Sequence, residues 1–228
     1  MLRRRVFSFW FGPNMSWRRR RAWAYLQVRS GVPNILITDK NLTEWTLASK
    51  PLHPALDLLS ATHKSDYLRT YFMLHHGGGY ADVKPIAFRW IPYFDKLETS
   101  DKEFFGYPEF GPSGVAGDIP DPDAWKRLVG ACYYIFKPYS SFAMSWMHRI
   151  HEILDENYDQ LKQYPGTIHP RAASGGVFQP KNEAEKALKT GYPLEWTEIN
   201  GQIFHPLQLS MPGTYAQELP AVRWRGYR

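Results

Sequence analysis

The chain has one cysteine, Cys132, in 228 residues, which rules out an internal disulfide and with it a small disulfide-stapled scaffold. Cys132 lies between Ala131 and Tyr133 in an apolar run, the setting of a small buried hydrophobe. No stretch approaches the roughly 18–20 uncharged apolar residues that a membrane span needs. Met1 to Arg5 leads straight into an apolar segment too short for a signal peptide. The expectation is a cytoplasmic protein without a transmembrane segment. Internal repeats, low-complexity tracts and linkers are also missing, so residues 1–228 are expected to form a single domain.

What is present begins with charge and rings. The net charge of +6 arises from 28 basic and 22 acidic residues and gathers near the front, at Arg3 to Arg5 and Arg18 to Arg21. Such clusters meet phosphates of nucleotides, nucleic acids or lipid headgroups, or simply face water. Nine Trp, 14 Tyr and 13 Phe make 16% of the chain, more than a minimal core needs. Packing accounts for most of them, and flat rings also stack on bases and sugar faces.

Along the chain, Val6 to Phe11 reads as a buried strand closed by Gly12-Pro13-Asn14. A helix follows, with Ser16 as its N-cap and Gly31 as its left-handed stop. Asn34 to Thr38 is a second strand, and strand, helix, strand opens an α/β sheet. His53 to His76 reads as helix in two pieces, stopped by Gly77-Gly78-Gly79, and Tyr80 to Val83 is a short strand closed by Pro85. Phe104 to Tyr107 and Ala131 to Phe136 are further strands, separated by a Gly/Pro/Asp-rich loop from Pro108 to Asp123. Ser140 or Ser141 caps one long helix whose apolar face runs from Phe142 to Leu161. Asn182 to Lys189 reads as a short helix, and the tail from Thr197 as loops and short strands.

The chemistry concentrates in Ser65-Asp66-Tyr67-Leu68-Arg69 and Gly77-Gly78-Gly79-Tyr80-Ala81-Asp82-Val83-Lys84-Pro85. Asp66 and Arg69, three apart on a helix, share a face. Asp82 and Lys84, two apart on a strand, point to one side while Ala81 and Val83 pack inward. The glycines let the backbone turn sharply and approach a ligand. Two carboxylates and two cations thus gather at the edge of an open sheet, where α/β proteins bind nucleotides. Trp10 and Thr38 or Asp39 end the first two strands on that edge.

The pattern Ser-Asp-x-x-Arg, helix, Gly-Gly-x-Tyr-x-Asp resembles the DXD-containing GT-A glycosyltransferases: capsular-polysaccharide sugar transferases, fungal initiating mannosyltransferases, the clostridial glucosylating toxins and small algal-virus sugar transferases. The likeness is specific over Ala61 to Pro85. It implies a three-layer α/β/α sandwich with a mostly parallel sheet. It also implies transfer of a sugar from a nucleoside-diphosphate donor, such as a UDP-sugar, to a hydroxyl of a glycan or other acceptor. On this resemblance Asp66 and Arg69 hold donor hydroxyls and phosphate, Asp82 is the first Asp of the DXD motif, Trp10 stacks on the base with the ribose near Thr38 or Asp39, and Tyr80 neighbours the sugar. A manganese ion, or magnesium in its place, is expected through Asp82 with help from His205 or Glu198, and Glu198 is alternatively a candidate general base.

Lys84 stands where the family has its second Asp. Either another residue completes a metal shell, or the lysine supplies part of the positive charge that a leaving diphosphate needs. Two other classes compete with the transferase. One is a basic module for nucleic acid or an anionic surface, using Arg18 to Arg21 with Trp17 and Trp23; it leaves Asp66 and Asp82 unexplained, because acids repel phosphate backbones, so no nucleic-acid partner is expected, although the basic residues allow peripheral membrane contact. The other is a sugar-nucleotide binder without turnover.

Overall fold

The computed structural model of the protein describes residues 2–12, 14–166 and 191–221; the helix expected over Asn182 to Lys189 lies outside them. In chain order the elements are β1 (Val6–Phe9), α1 (Trp17–Ser30), β2 (Asn34–Ile37), α2 (Leu42–Trp45), a 3-10 turn at Pro54–Leu58, α3 (Ala61–His75) and β3 (Gly78–Ala81). Then come α4 (Ile91–Thr99), β4 (Phe104–Pro108), β5 (Val129–Phe136), α5 (Ser141–Glu156), α6 (Tyr158–Gln163), α7 (Gly201–Ser210) and β6 (Tyr215–Gln217).

Local chemistry sets the helix limits. The Ser16 side chain accepts the Arg19 amide at the start of α1, and Gly31 ends it at φ +71°. Ser60 caps α3 through the His63 amide, and Ser140 caps α5 through Ala143. After α3 the chain turns at Gly77, φ +61°, and a Cβ there would lie 2.6 Å from Pro138 Cδ. Only glycine fits that turn without strain.

The strands form one sheet in the order β2-β1-β3-β5-β4-β6. β1 pairs in parallel with β2 and β3, β5 runs antiparallel to β3 and β4, and β6 is parallel to β4. Five strands therefore run one way and β5 runs against them, a mixed α/β sheet. Each face carries its own core. Within β5, Tyr134 and Phe136 pack on the side of α3, α5 and α7, while Tyr133 and Ile135 pack toward α1 and α4. On the first side Phe104 stacks on Phe136 with ring centres 4.3 Å apart, and Trp146 meets Phe204 at 4.7 Å. Each such fully buried ring contributes about 1.5–3 kcal/mol.

Three expectations need correction. The glycines do not precede the third strand: Gly78 and Gly79 belong to it, and β3 ends at Ala81, so Asp82 and Lys84 lie on the turn beyond. The long helix breaks at Asn157, whose amide and side chain both take the Ile153 carbonyl, so Leu161 belongs to α6. The tail is not all loop and strand. α7 forms despite Pro206 because Ile203, Phe204, His205 and Gln208 are buried, and tertiary packing overrides the proline's local cost.

Candidate active site

β1, β2 and β3 bring their carboxyl ends to one edge of the sheet, and β5, running the other way, brings its amino end there. At that edge the chain leaves β3 through a tight turn in which the Lys84 amide donates to the Asp82 carbonyl at 2.7 Å. The turn sets the two side chains against each other, Lys84 Nζ lying 2.7 Å from Asp82 Oδ2. Lys84 Nζ also donates to Cys132 Sγ on β5 at 2.8 Å. The Tyr80 hydroxyl donates to Asp82 Oδ1 at 2.5 Å.

α3 supplies the second pair. Arg69 Nη2 is 2.8 Å from Asp66 Oδ1 and 3.8 Å from Asp82 Oδ1, so the guanidinium bridges both carboxylates. Its Nη1 donates to the Ala131 carbonyl at the start of β5 at 2.9 Å, and its Cζ lies 4.4 Å from the centre of the Tyr80 ring. Asn200, the residue before α7, donates Nδ2 to Asp66 Oδ1 at 2.9 Å. Asp66, Arg69, Tyr80 and Lys84 are all buried, and Asp82 keeps 23% of its side-chain surface.

Burial and charge split the two acids. Burial raises Asp66 to about 6 despite the neighbouring Arg69. Burial also pushes Asp82 upward, but Lys84, Arg69 and the hydrogen bonds from Lys84 and Tyr80 outweigh it and hold the carboxyl below its ordinary range. Asp82 is thus a fixed anion between two cations, whereas Asp66 changes charge near neutrality.

The residues expected on the nucleotide side, Trp10, Thr38 and Asp39, lie at the ends of β1 and β2. The half-buried Trp10 donates its amide to Ile37 at 2.9 Å where β1 and β2 end. The Thr38 amide and hydroxyl close a turn onto Asn41 Oδ1, and the exposed Asp39 lies 3.5 Å from Lys64 in the first turn of α3. Lys64 also sits 5.6 Å from the Phe11 ring, so Asp39 and the end of β1 converge on the helix that carries Asp66.

Two candidates have partners other than Asp82. Glu198 accepts the Glu195 amide at 2.7 Å and closes its own turn; its electrostatic neighbours are Glu195, Arg149 and Glu156, not Asp82. His205 is buried on α7 with Nδ1 accepting the Ala116 amide at 3.0 Å, and burial lowers its pKa to about 4. The ring is therefore neutral with its proton on Nε2, which faces Glu109 Oε2 at 3.9 Å, too far for a hydrogen bond. The residues present do not fit a divalent cation at Asp82: one of its oxygens holds the Lys84 ammonium, the other the Tyr80 hydroxyl, and two cations flank it. Among the described residues no three His, Cys, Asp or Glu side chains converge as a metal-holding group.

Asn200, Cys132 and the Ala131 carbonyl complete the cluster without any sequence signal, since each is a common residue in an unremarkable run. Glu109 is different. It is buried at the end of β4, burial raises its pKa, and Lys84 opposes that rise; an acid directly following a strand toward the same edge was a readable signal. No protein-family model matches the chain, and neither does any curated protein or solved structure.

Proposed function

We propose that the protein is a glycosyltransferase of the GT-A kind, moving a sugar from a nucleoside-diphosphate donor, such as a UDP-sugar, to a hydroxyl of a glycan or other acceptor. One observation carries the reading. Arg69 and Lys84, both buried, are held by Asp66 and Asp82 at the sheet edge where α/β proteins bind nucleotides.

The chemistry asks for such an arrangement. Breaking the bond from the anomeric carbon to the diphosphate oxygen builds negative charge on phosphate, and preorganised cations in a site screened from water stabilise it. Lys84 and Arg69 take that role, and no metal-dependent step is needed in the reading. Asp82 orients both cations before the donor arrives. Among the described residues the partners of Asp66 both meet Oδ1, which leaves Oδ2 to accept a donor hydroxyl. Trp10 offers its ring to the base, as the resemblance implies.

The test is release of nucleoside diphosphate and transfer to hydroxyl acceptors across a panel of sugar nucleotides, together with thermal stabilisation by the free nucleotides. Turnover of at least one donor, lost in a folded Asp82→Asn variant, is expected. A folded chain that neither turns over nor is stabilised by any member of the panel overturns the reading.

A further inference from the structure

The amino-terminal part of the chain is charged unlike the rest. Residues 2–38 hold eight arginines and no acid; the first acidic residue is Asp39. The net +6 is therefore +8 in this segment and −2 in all that follows. Five of the eight, Arg18 to Arg21 and Arg29, belong to α1, and Arg18, Arg20, Arg21 and Arg29 form no ion pair among the described residues.

α1 is also apolar on the side where a surface helix is normally polar. It buries Leu26 and Ser30 against the sheet. The opposite side, at spacings 4, 4 and 3, carries Trp17, Arg21, Tyr25 and Val28. Trp17 is 57% exposed, Tyr25 39% and Val28 80%. The guanidinium groups of Arg18 and Arg21 lie 5.7 and 5.5 Å from the Trp17 ring, and that of Arg29 lies 5.5 Å from Tyr25. An aromatic and aliphatic stripe edged by arginines, on a helix without acids, is the composition that seats at the headgroup boundary of a bilayer.

We infer that the outer face of α1 is a docking surface for an anionic lipid membrane. Charge complementarity supplies the long-range attraction, with each arginine near an anionic leaflet worth about fivefold in partitioning. Trp17, Tyr25 and Val28 supply the apolar contact. That contact separates this partner from nucleic acid, for which an 80% exposed valine does nothing. The inference is independent of the proposed activity, because none of these side chains belongs to the cluster around Asp82.

The experiment is co-sedimentation of the full chain with vesicles of phosphatidylcholine alone and of phosphatidylcholine with phosphatidylserine, beside binding to a short single-stranded oligonucleotide at the same salt. Binding to the anionic vesicles only is expected. Arg18→Gln/Arg20→Gln/Arg21→Gln should lower it on the order of a hundredfold. Trp17→Ser/Tyr25→Ser/Val28→Ser should lower it about tenfold or more at unchanged charge. Val28→Glu, at the most exposed position, is a milder variant that weakens binding without touching the buried face. No binding to anionic vesicles overturns the inference, as does binding undiminished by loss of the apolar stripe. Oligonucleotide binding without vesicle binding also overturns it and assigns the face to nucleic acid.

Discussion

Lys84 donates to Asp82 at 2.7 Å across the turn that leaves β3, and Asp82 in turn accepts the Tyr80 hydroxyl on its other oxygen. The ammonium is therefore held before any donor binds. On the proposed function, a diphosphate entering the site would compete with Asp82 for it, exchanging one charge-assisted contact for another rather than recruiting a mobile side chain.

Lys84→Met is expected to weaken donor binding or turnover by about 10- to 100-fold, the range for a lost hydrogen bond to a charged group, with Lys84→Arg retaining more. Leaving Asp82 without its ammonium also costs stability, so activity is measured per folded molecule. Chelation should leave turnover intact. Turnover abolished by a chelator and restored by manganese would return the cationic role to a metal.

Asp66 gives the pH dependence. Its folded pKa of about 6 lies above the ordinary 3.8, so the native state favours the neutral acid, and ionisation as the pH rises from 3.8 through about 6 costs stability. Asp66→Asn leaves the buried Arg69 without that carboxylate and should lower the melting temperature, but its deficit relative to wild type should shrink as the pH rises from 3.8 through about 6, because only wild type is penalised by ionisation there. Activity should move oppositely. If the carboxylate accepts a donor hydroxyl, wild-type kcat/KM falls as pH drops through about 6, and the variant loses activity at every pH. An unchanged stability profile in Asp66→Asn would reject the assignment.

Asn200→Ala tests the one site group supplied from α7. Its bond stabilises the ionised form of Asp66, so its loss should lower kcat/KM about tenfold or more and shift the acid limb of the pH profile to higher pH. A packing role alone would reduce melting temperature and leave the limb where it is.

Gly77→Ala should destabilise the fold by about 1–3 kcal/mol or more, because its φ of +61° disfavours an L side chain and its Cβ would strike Pro138. Calorimetric unfolding reads this directly. Activity per folded molecule should persist, since Gly77 turns the chain and touches no group of the cluster.

Much of this was readable where it depended on neighbours in sequence. Ser16 and Gly31 delimit α1, Ser140 starts α5, and helical spacing sets Asp66 beside Arg69. Asp82 and Lys84 do lie together as alternation suggests, yet the cause is a turn bond and not the pleat, because β3 has already ended. α7 was hidden by Pro206, whose local cost is recovered only from a core the sequence does not display. Glu198 and His205, placed by analogy, have partners the sequence did not show: Glu198 takes the Glu195 amide within its own turn, and His205 takes the Ala116 amide and is buried toward Glu109. Asn200 was beyond reach because its meaning lies entirely in a partner 134 residues away.

That separation has a consequence for synthesis. At roughly 5–20 residues per second, Asp66 leaves the ribosome about 7–27 seconds before Asn200 does. During that interval α3 carries an acid and a guanidinium bound for a dry interior without the amide that completes their surroundings, and β6 has not yet joined β4. A chain cut short of Asn200 therefore lacks both the amide that bonds Asp66 and the strand that pairs with β4, two contacts that arrive only with the last 29 residues.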